Sequence, residues 1–195
     1  MPTITNKLMP FRSYAEEEVV NIFALNVTGE AGLFVKPVTF DLDNADGYSS
    51  VGVGAAYANT YSNRYESKAK LGLAASGDTK YTVLGVALKD TREVDENGES
   101  LLFRPELATK LNCVISGQNV PVLKRGLLIL RSGAYLGTPA IGSVGVISHS
   151  GQGRIQALAP SAVTGAGYTA DQIVGKFVSA NSAKHGGNAM FLLDL

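Results

Sequence analysis

The residues best suited to acid–base or nucleophilic chemistry in this sequence are its two histidines, His149 and His185. His149 stands between Ser148 and Ser150, which places hydroxyl groups beside an imidazole. Adjacent residues of a strand point to opposite faces, so this spacing does not bring a hydroxyl onto the imidazole. The G-x-S-x-G turn of a serine hydrolase is absent from the sequence. We therefore predict two loop histidines and no enzyme, and a hydrolase built on either histidine is the remote alternative.

The acidic clusters and the single cysteine of the sequence give no metal site. Acidic residues gather at 41–43 and at 93–96, but neither segment has the twelve-residue pattern of a calcium-binding loop. Cys113 is the only cysteine, which excludes an internal disulfide and a cysteine-based zinc site. Its apolar neighbours predict an unreactive thiol in the core. We expect solvated acidic turns and no bound metal.

Two glycine-containing segments invite comparison with phosphate-binding loops. Gly52 and Gly54 are followed by the sequence AAY, so the third glycine of a dinucleotide fingerprint is missing. Gly175 and Lys176 lack the leading glycine and the serine or threonine of a phosphate loop. The sequence therefore predicts no nucleotide cofactor, and we expect no cofactor of another kind.

Charge and hydropathy of the whole chain restrict its partners. The 195 residues carry 17 Lys and Arg against 17 Asp and Glu, a formal net charge of +0. A neutral chain is poorly suited to binding a polyanion, so we expect no nucleic acid partner. Apolar runs such as residues 126–130 are far shorter than the roughly 20 residues of a membrane-spanning helix, so we expect no membrane partner. No secretory signal is recognisable, which predicts synthesis in a reducing cytosol.

Six aromatic side chains are candidates for an interface with a partner. Amphipathic aromatic residues are common anchors of protein interfaces. Four tyrosines lie in a segment rich in glycine, alanine, serine and asparagine, and two further aromatics lie near the N-terminal end. The candidates are Phe11, Tyr14, Tyr48, Tyr57, Tyr61 and Tyr65. The alternative is that these side chains are ordinary core or surface residues.

The sequence divides into an N-terminal arm and one domain. Residues 1–14 are aperiodic, and Pro2 and Pro10 oppose regular structure, which predicts an extended N-terminal arm. Residues 15–195 are predicted to form a single β-rich domain. A Gly- and Tyr-rich insert at about 41–76 interrupts this domain.

Short β-patterned runs recur along the domain. Residues 16–28 and 33–40 are separated by a segment containing Gly29 and Gly32, a pattern that predicts a β-hairpin. Residues 105–111 begin with proline and have an apolar i, i+4 pair, which predicts one short helix. Further strands are predicted at 81–88, 113–116, 120–123, 126–131, 142–148, 173–179 and 189–195, with a charged turn at 89–100. This spacing favours a mainly β fold, either a small β-barrel or a β-sandwich.

Three stretches of the sequence together resemble one known family. The first contains FRSY, EVVNIFAL and GLFVK (residues 11–14, 18–25 and 32–36), the second VLGVAL and ISGQNVPVLKRG (83–88 and 115–126), and the third VGKF and AMFLLDL (174–177 and 189–195). The family is the capsid cement, or head decoration, proteins of tailed phages, with cyanophage-like members most similar. Residues 48–76 have no counterpart in this resemblance.

The resemblance implies a non-enzymatic structural protein of the virion. Such a protein is made in the host cytoplasm and binds the outer surface of an expanded icosahedral capsid, where it clamps neighbouring subunits. Its partners would be the major capsid protein and further copies of itself, as a homotrimer by preference or as a dimer. The resemblance brings no catalytic residue.

A carbohydrate- or ligand-binding β-sandwich, such as a receptor-binding module, is the alternative from another functional class. A sugar-binding face is typically built with tryptophan or with clustered Asp, Asn and Gln side chains. The sequence contains 0 Trp, which favours the structural hypothesis.

Overall fold

The computed structural model describes residues 8–25, 29–39, 70–95, 97–101, 104–115, 117–182 and 186–195. Within these residues the chain is mainly β, with two large sheets, a two-stranded pair and one short α-helix. The predicted mainly β fold class is confirmed. Single turns of 3-10 helix at residues 16–18, 160–162 and 170–172 connect some of the strands.

Sheet 1 contains seven strands within the described residues. In spatial order they are β1 (Leu8–Ser13), β10 (Arg125–Leu130), β15 (Ala189–Asp194), β14 (Ile173–Phe177), β12 (Val144–Ile147), β13 (Ile155–Leu158) and β11 (Tyr135–Leu136). Neighbouring strands are antiparallel except β11 and β13, which are parallel. The predicted strands near residues 126–131, 142–148, 173–179 and 189–195 are therefore confirmed.

Sheet 2 contains six strands within the described residues. In spatial order they are β2 (Val19–Val20), β9 (Val122–Leu123), β6 (Gly85–Ala87), β4 (Phe34–Thr39), β5 (Lys70–Leu73) and β3 (Ala24–Leu25). Only β3 and β5 are a parallel pair among these strands. β5 comes from the segment assigned to the predicted insert, and its Leu71 is fully buried.

The two large sheets share one hydrophobic core. Phe34 of sheet 2 meets Phe191 of sheet 1 edge to face, with ring centroids 6.1 Å apart. Phe177 also packs edge to face with Phe191, at 5.0 Å between centroids. All three rings are fully buried, and edge-to-face pairs of this kind add to the free energy gained from burial alone. This aromatic cluster locks sheet 1 onto sheet 2.

The predicted β-hairpin at residues 16–40 is wrong. β3 and β4 are not neighbours, because β4 pairs with β5 and β6 while β3 pairs with β5. The intervening turn is bonded to a different part of the chain. Gly32 N–H donates to the Ala87 carbonyl at 2.7 Å, and Ala31 N–H donates to the Asp90 carboxylate at 2.7 Å. These bonds hold the turn against the segment after β6.

The predicted charged turn at residues 89–100 begins with a strand instead. β7 (Asp90–Arg92) pairs in parallel with β8 (Cys113–Ile115). Asp90 is only 3% exposed, and its carboxylate is paired with Arg92 at 2.6 Å besides accepting the Ala31 N–H. A buried charge is tolerated when it is paired and hydrogen-bonded in this way. The charged residues therefore led to the prediction of a solvated turn, whereas the fold buries Asp90 and pairs its carboxylate with Arg92 and Ala31.

The predicted short helix is confirmed as α1 (Pro105–Lys110), with proline in its first turn. Its Ala108 packs with Leu101 and with Cys113 and Ile115 of β8 in a small separate cluster. The Cys113 thiol lies 3.5 Å from the Ala108 carbonyl, to which it donates. α1 therefore covers one side of the two-stranded pair.

The predicted N-terminal arm contributes the edge strand of sheet 1. β1 pairs with β10 at Leu8–Leu130, Met9–Ile129 and Ser13–Leu127, with an irregular register between Met9 and Ser13. Pro10 lies in this irregular part, where its missing N–H is tolerated because β1 is an edge strand. Residues 1–7 of the arm lie outside the described residues.

Candidate functional site

The face of sheet 1 that points away from the core is the most distinctive surface of the described chain. Along β10 and β15, side chains alternate between the core and this second face. Leu128, Leu130, Phe191 and Leu193 are buried in the core. The alternate residues are half-buried rather than polar, and we call them the outer face: Leu127, Ile129, Met190 and Leu192. Cross-strand neighbours in it are Leu127 with Leu192 and Ile129 with Met190.

One end of this second face of sheet 1 is covered by the chain itself. The covering segment is residues 159–172, which we call the cap segment. Its Val163 and Tyr168 are buried against Val146 of β12. Val144 and Ile173 are partly buried at the border of this cluster. The cap segment stops there, so the outer face is the part of the sheet that the described chain leaves uncovered.

A groove of about 600 Å³ lies on the uncovered part. Its apolar floor comes from Ile129 and Met190, and the rim residues that the structure describes carry no charge. The remaining lining residues are Ser179, Ala180, Ser182, Asn188 and Ala189. A groove with an apolar floor and hydroxyl and amide groups at the rim suits an uncharged segment of a partner or a small neutral ligand.

The rim of this groove is held in place by hydrogen bonds to the sheet. The Ser179 hydroxyl accepts the Met190 N–H at 2.8 Å. Ser182 N–H donates to the Asn188 carbonyl at 3.1 Å, and the buried Tyr135 hydroxyl donates to the Gly187 carbonyl. Burial also raises the pKa of the Tyr135 phenol. These bonds tie the described rim residues to each other and to β11 and β15 of sheet 1.

Two exposed apolar side chains extend the surface beyond the groove. Val178 follows β14 directly and is 37% exposed, and Ile141 is 79% exposed. They are close in the fold because Gly142 N–H donates to the Phe177 carbonyl at 2.9 Å. An apolar surface that continues past a groove is typical of a protein contact rather than of an isolated small-molecule site.

A second groove, of about 430 Å³, lies between the outer face and the cap segment. Ile173 and Leu192 belong to its floor, and Lys80, Lys176 and Asp194 supply charged groups at its edge. Asp194 is paired with Arg125 at 3.2 Å, and both side chains are about two thirds exposed. The charged groups that line this second groove among the described residues therefore lie beside the outer face.

The structure places the predicted interface aromatics in different situations. Tyr14 is half-buried and packs against the main core, and a side chain at Gly126 would collide with its Cβ atom. It is therefore part of the fold in this chain. Phe11 lies in β1, next to the irregular register. The other four candidates lie outside the described residues: Tyr48, Tyr57, Tyr61 and Tyr65.

The hydrolase alternative depends on His149 or His185, of which the structure describes His149. His149 is exposed, and its ring stacks on Tyr168 with centroids 4.0 Å apart. Its neighbours Ser148 and Ser150 share a hydroxyl contact of 3.3 Å with each other. His185 lies outside the described residues. The His149 ring therefore packs on the cap segment and covers Tyr168.

Metal and thiol chemistry have no assembled site among the described residues. No group of three or more His, Cys, Asp or Glu side chains converges within this part of the chain. Cys113 is buried, as predicted from its apolar neighbours, and burial raises the pKa of its thiol, which favours the protonated form. None of the described helices has the length and hydropathy required to cross a membrane.

The outer face was not among the candidates that the sequence offered, although a signal for it exists. The runs at residues 126–130 and 189–193 are apolar at successive positions rather than at alternate ones. Such runs indicate strands with two apolar faces.

Comparison of the chain with protein-family models, curated proteins and solved structures finds no match in any of the three.

Proposed function

We propose that this chain is a structural virion protein that binds the outer surface of an icosahedral phage capsid and stabilises contacts between major capsid protein subunits. The observation that carries the proposal is the outer face, an apolar strip with a groove that the described chain leaves uncovered. In this proposal the protein acts without catalysis and as a homo-oligomer, a trimer by preference or a dimer.

The resemblance found in the sequence supports the same assignment. Its third stretch, with residues 174–177 and 189–195, covers β15 and most of β14. Its second stretch, 115–126, ends where β10 begins. The resemblance therefore includes Met190 and Leu192 of the outer face, whereas Leu127 and Ile129 follow the end of its second stretch.

The chemistry of the surface suits a repeated contact on a shell. Half-buried aliphatic side chains lose water on contact with a complementary apolar surface, at about 25 cal/mol for each Å² removed from water. A single contact of this kind is weak. Many copies on one shell raise the overall avidity without a strong individual contact. The net charge of +0 allows copies to lie close together without mutual repulsion.

Co-sedimentation with expanded, undecorated capsid shells tests the proposal. Light scattering first gives the mass of the purified protein in solution, and the shells are then pelleted with it. We expect an oligomer that pellets at a fixed ratio to the shell subunit. A monomer that stays in the supernatant would contradict both the capsid role and the oligomeric state.

Matched lysine variants assign the binding to the outer face. Met190→Lys places a charge in the groove floor, whereas Val94→Lys adds the same charge at a 48% exposed position after β7. We expect Met190→Lys to abolish pelleting and Val94→Lys to leave it intact. Equal binding by both variants would show that the outer face takes no part in the contact with the shell.

Two truncations distinguish the role of residues 1–7 from that of the edge strand β1. Removal of residues 1–7 leaves β1 and its pairing with β10 in the chain, while removal of residues 1–14 also deletes β1 and the core contact of Tyr14. We expect the shorter truncation to keep its free energy of unfolding and to lose shell binding. Unchanged binding after the shorter truncation would leave the arm without a role in docking.

A ligand-binding module is the second candidate, and the volume of the groove favours it. The value of about 600 Å³ lies within the range of roughly 300–1,000 Å³ that small-molecule sites occupy. A thermal-shift screen with neutral mono- and disaccharides tests this function on the same protein. A saccharide that raises the unfolding temperature of the native chain but not of Met190→Lys would favour the ligand-binding function.

A further inference from the structure

The turn between β7 and α1 presents an asparagine and a glycine side by side at the surface. Asn97 and Gly98 are both exposed. Gly98 has a φ of +82°, and no atom lies within 4 Å of the position that a Cβ would take there. Asn97 is the one asparagine in the whole sequence that is followed by glycine. This turn is remote in sequence from the strands of the outer face.

The backbone around the pair is held by a carboxylate, whereas the asparagine amide is not. Asp95 Oδ1 accepts the N–H of Asn97 and the N–H of Glu99, each at 2.8 Å. Asp95 N–H donates to the Glu99 carbonyl at 2.9 Å and closes the turn. Among the described residues, no hydrogen bond engages the Asn97 side-chain amide. The side-chain carbonyl carbon is therefore open to attack.

We propose that Asn97 is a site of spontaneous deamidation. The Gly98 backbone nitrogen loses its proton to water and forms a bond to the Asn97 Cγ atom. The Cγ–Nδ2 bond then breaks, and the side-chain nitrogen leaves as ammonia. The five-membered succinimide that results is opened by one water molecule at either carbonyl. The products are aspartate and isoaspartate at position 97, and no oxidant or enzyme takes part.

Glycine at position 98 favours the reaction for a steric reason. A residue without Cβ leaves its nitrogen unshielded and rotates freely in φ and ψ, so the nitrogen can approach Asn97 Cγ. The opposing interaction is a hydrogen bond from Gly98 N–H to the Asp95 carbonyl, at 3.2 Å. That bond is long and lies in an exposed turn, so it opens by local fluctuation without unfolding the domain.

The product changes the charge and the length of the turn. Deamidation takes a chain with 17 acidic and 17 basic residues from a net charge of +0 to one additional negative charge. The new carboxylate lies between Asp95 and Glu99, and Glu99 already pairs with Arg104 at 2.5 Å. Isoaspartate also adds a methylene to the backbone between Asp95 and Glu99, which opposes closure of the turn. The modification therefore marks the age of each copy by its charge.

Peptide mapping by mass spectrometry tests the proposal on the full-length folded chain. The protein is aged in mildly alkaline buffer, and the deamidated fraction at Asn97 is compared with that at Asn181, which precedes serine. We expect Asn97 to gain about 1 Da as an amide becomes an acid, and to do so several-fold faster than Asn181, because glycine leaves the attacking nitrogen unshielded. Equal rates at the two positions would overturn the proposal.

Two variants control for the mechanism. Gly98→Ala fits without a steric clash because the space around the Cβ position is open, although its left-handed φ is strained for alanine. Gln in place of Asn97 would need a larger ring for the same attack. We expect at least a several-fold slower change at position 97 in Gly98→Ala, and loss of the acidic isoform in isoelectric focusing for Asn97→Gln. An acidic isoform that persists in Asn97→Gln would place the modification elsewhere.

Discussion

The two faces of sheet 1 are built by the same strands from similar side chains, yet they end in different environments. On β15, Phe191 and Leu193 are fully buried in the core, whereas Met190 and Leu192 remain half-exposed on the outer face. The inner face is closed by sheet 2. On the opposite side of the sheet, the cap segment buries Val146 at one end and, within the described residues, leaves the outer face uncovered.

The two faces differ in how closely their apolar side chains are packed. The inner residues interlock so closely that glycine is required beside them. An added Cβ would lie 2.5 Å from the Phe191 ring at Gly145 and 2.7 Å from it at Gly175. Such complementarity is typical of a core. The outer residues are half-buried and keep part of their apolar surface accessible, which the proposed contact with a partner would cover.

The largest effect is expected from emptying the inner face. Phe191→Ala removes a ring that contacts Phe34 and Phe177 and leaves a cavity between the sheets. We expect a loss of about 3–5 kcal/mol in the free energy of unfolding, measured by urea denaturation. Met190→Ala, one residue away on the outer face, serves as the comparison. A similar loss in both variants would refute the distinction between the faces.

Overfilling the inner face is expected to cost less. The Cβ of Gly175→Ala would lie 2.2 Å from the Leu192 backbone carbonyl oxygen, which cannot move without disturbing β15. We expect a loss of roughly 1–3 kcal/mol in the same assay. Gly165→Ala is the matched control, because its nearest neighbour is the Ala162 carbonyl oxygen at 3.8 Å. Tolerance of Gly175→Ala equal to that of the control would mean that the strands pack loosely here.

Changing the outer face is expected to affect binding more than stability. Met190→Lys keeps a long aliphatic stem that lies along the groove while its ammonium reaches water. We expect its free energy of unfolding to change by no more than about 1 kcal/mol, with pelleting on shells abolished. Thermal unfolding and co-sedimentation of the same preparation check both parts. Strong destabilisation would show that Met190 belongs to the core.

The smallest effect is expected at the charged margin of the outer face. Asp194→Asn breaks the ion pair with Arg125, in which both side chains are about two thirds exposed. Exposed pairs contribute about 0.2–1 kcal/mol and less in high salt, so we expect a change at the lower end of that range. Chemical denaturation at low and high salt measures it. A salt-independent loss would reveal a contact other than the ion pair.

The sequence predicted the regular parts of the fold and missed the parts that depend on long-range polar contacts. Successive apolar residues marked β10 and β15, and an N-terminal proline marked α1. β7 was missed because Asp90 is charged, and only its pairing with Arg92 and Ala31 allows it to be buried. β13 was missed although Ile155 and Ala157 alternate with half-exposed residues, because four residues give a weak pattern.

The candidate site could be predicted only in part for a related reason. Apolar runs at residues 126–130 and 189–193 indicate that both sides of two strands are apolar. They do not indicate that the cap segment covers Val146 and stops before Met190. That boundary depends on where residues 159–172 return across the sheet. Tyr14 was proposed for an interface from its residue type alone, and its position against Gly126 depends on the pairing of β1 with β10.

The strand order of sheet 1 also constrains how the chain reaches its native state. β15, the last described strand along the chain, lies between β10 and β14 near the middle of the sheet. Sheet 2 is complete by residue 123, so a ribosome-bound chain can assemble it early. Sheet 1 must wait for β15, and non-local pairings of this kind fold slowly. Until β15 arrives, β10 and β14 each present an unpaired edge, and premature association of nascent chains is a hazard at that stage.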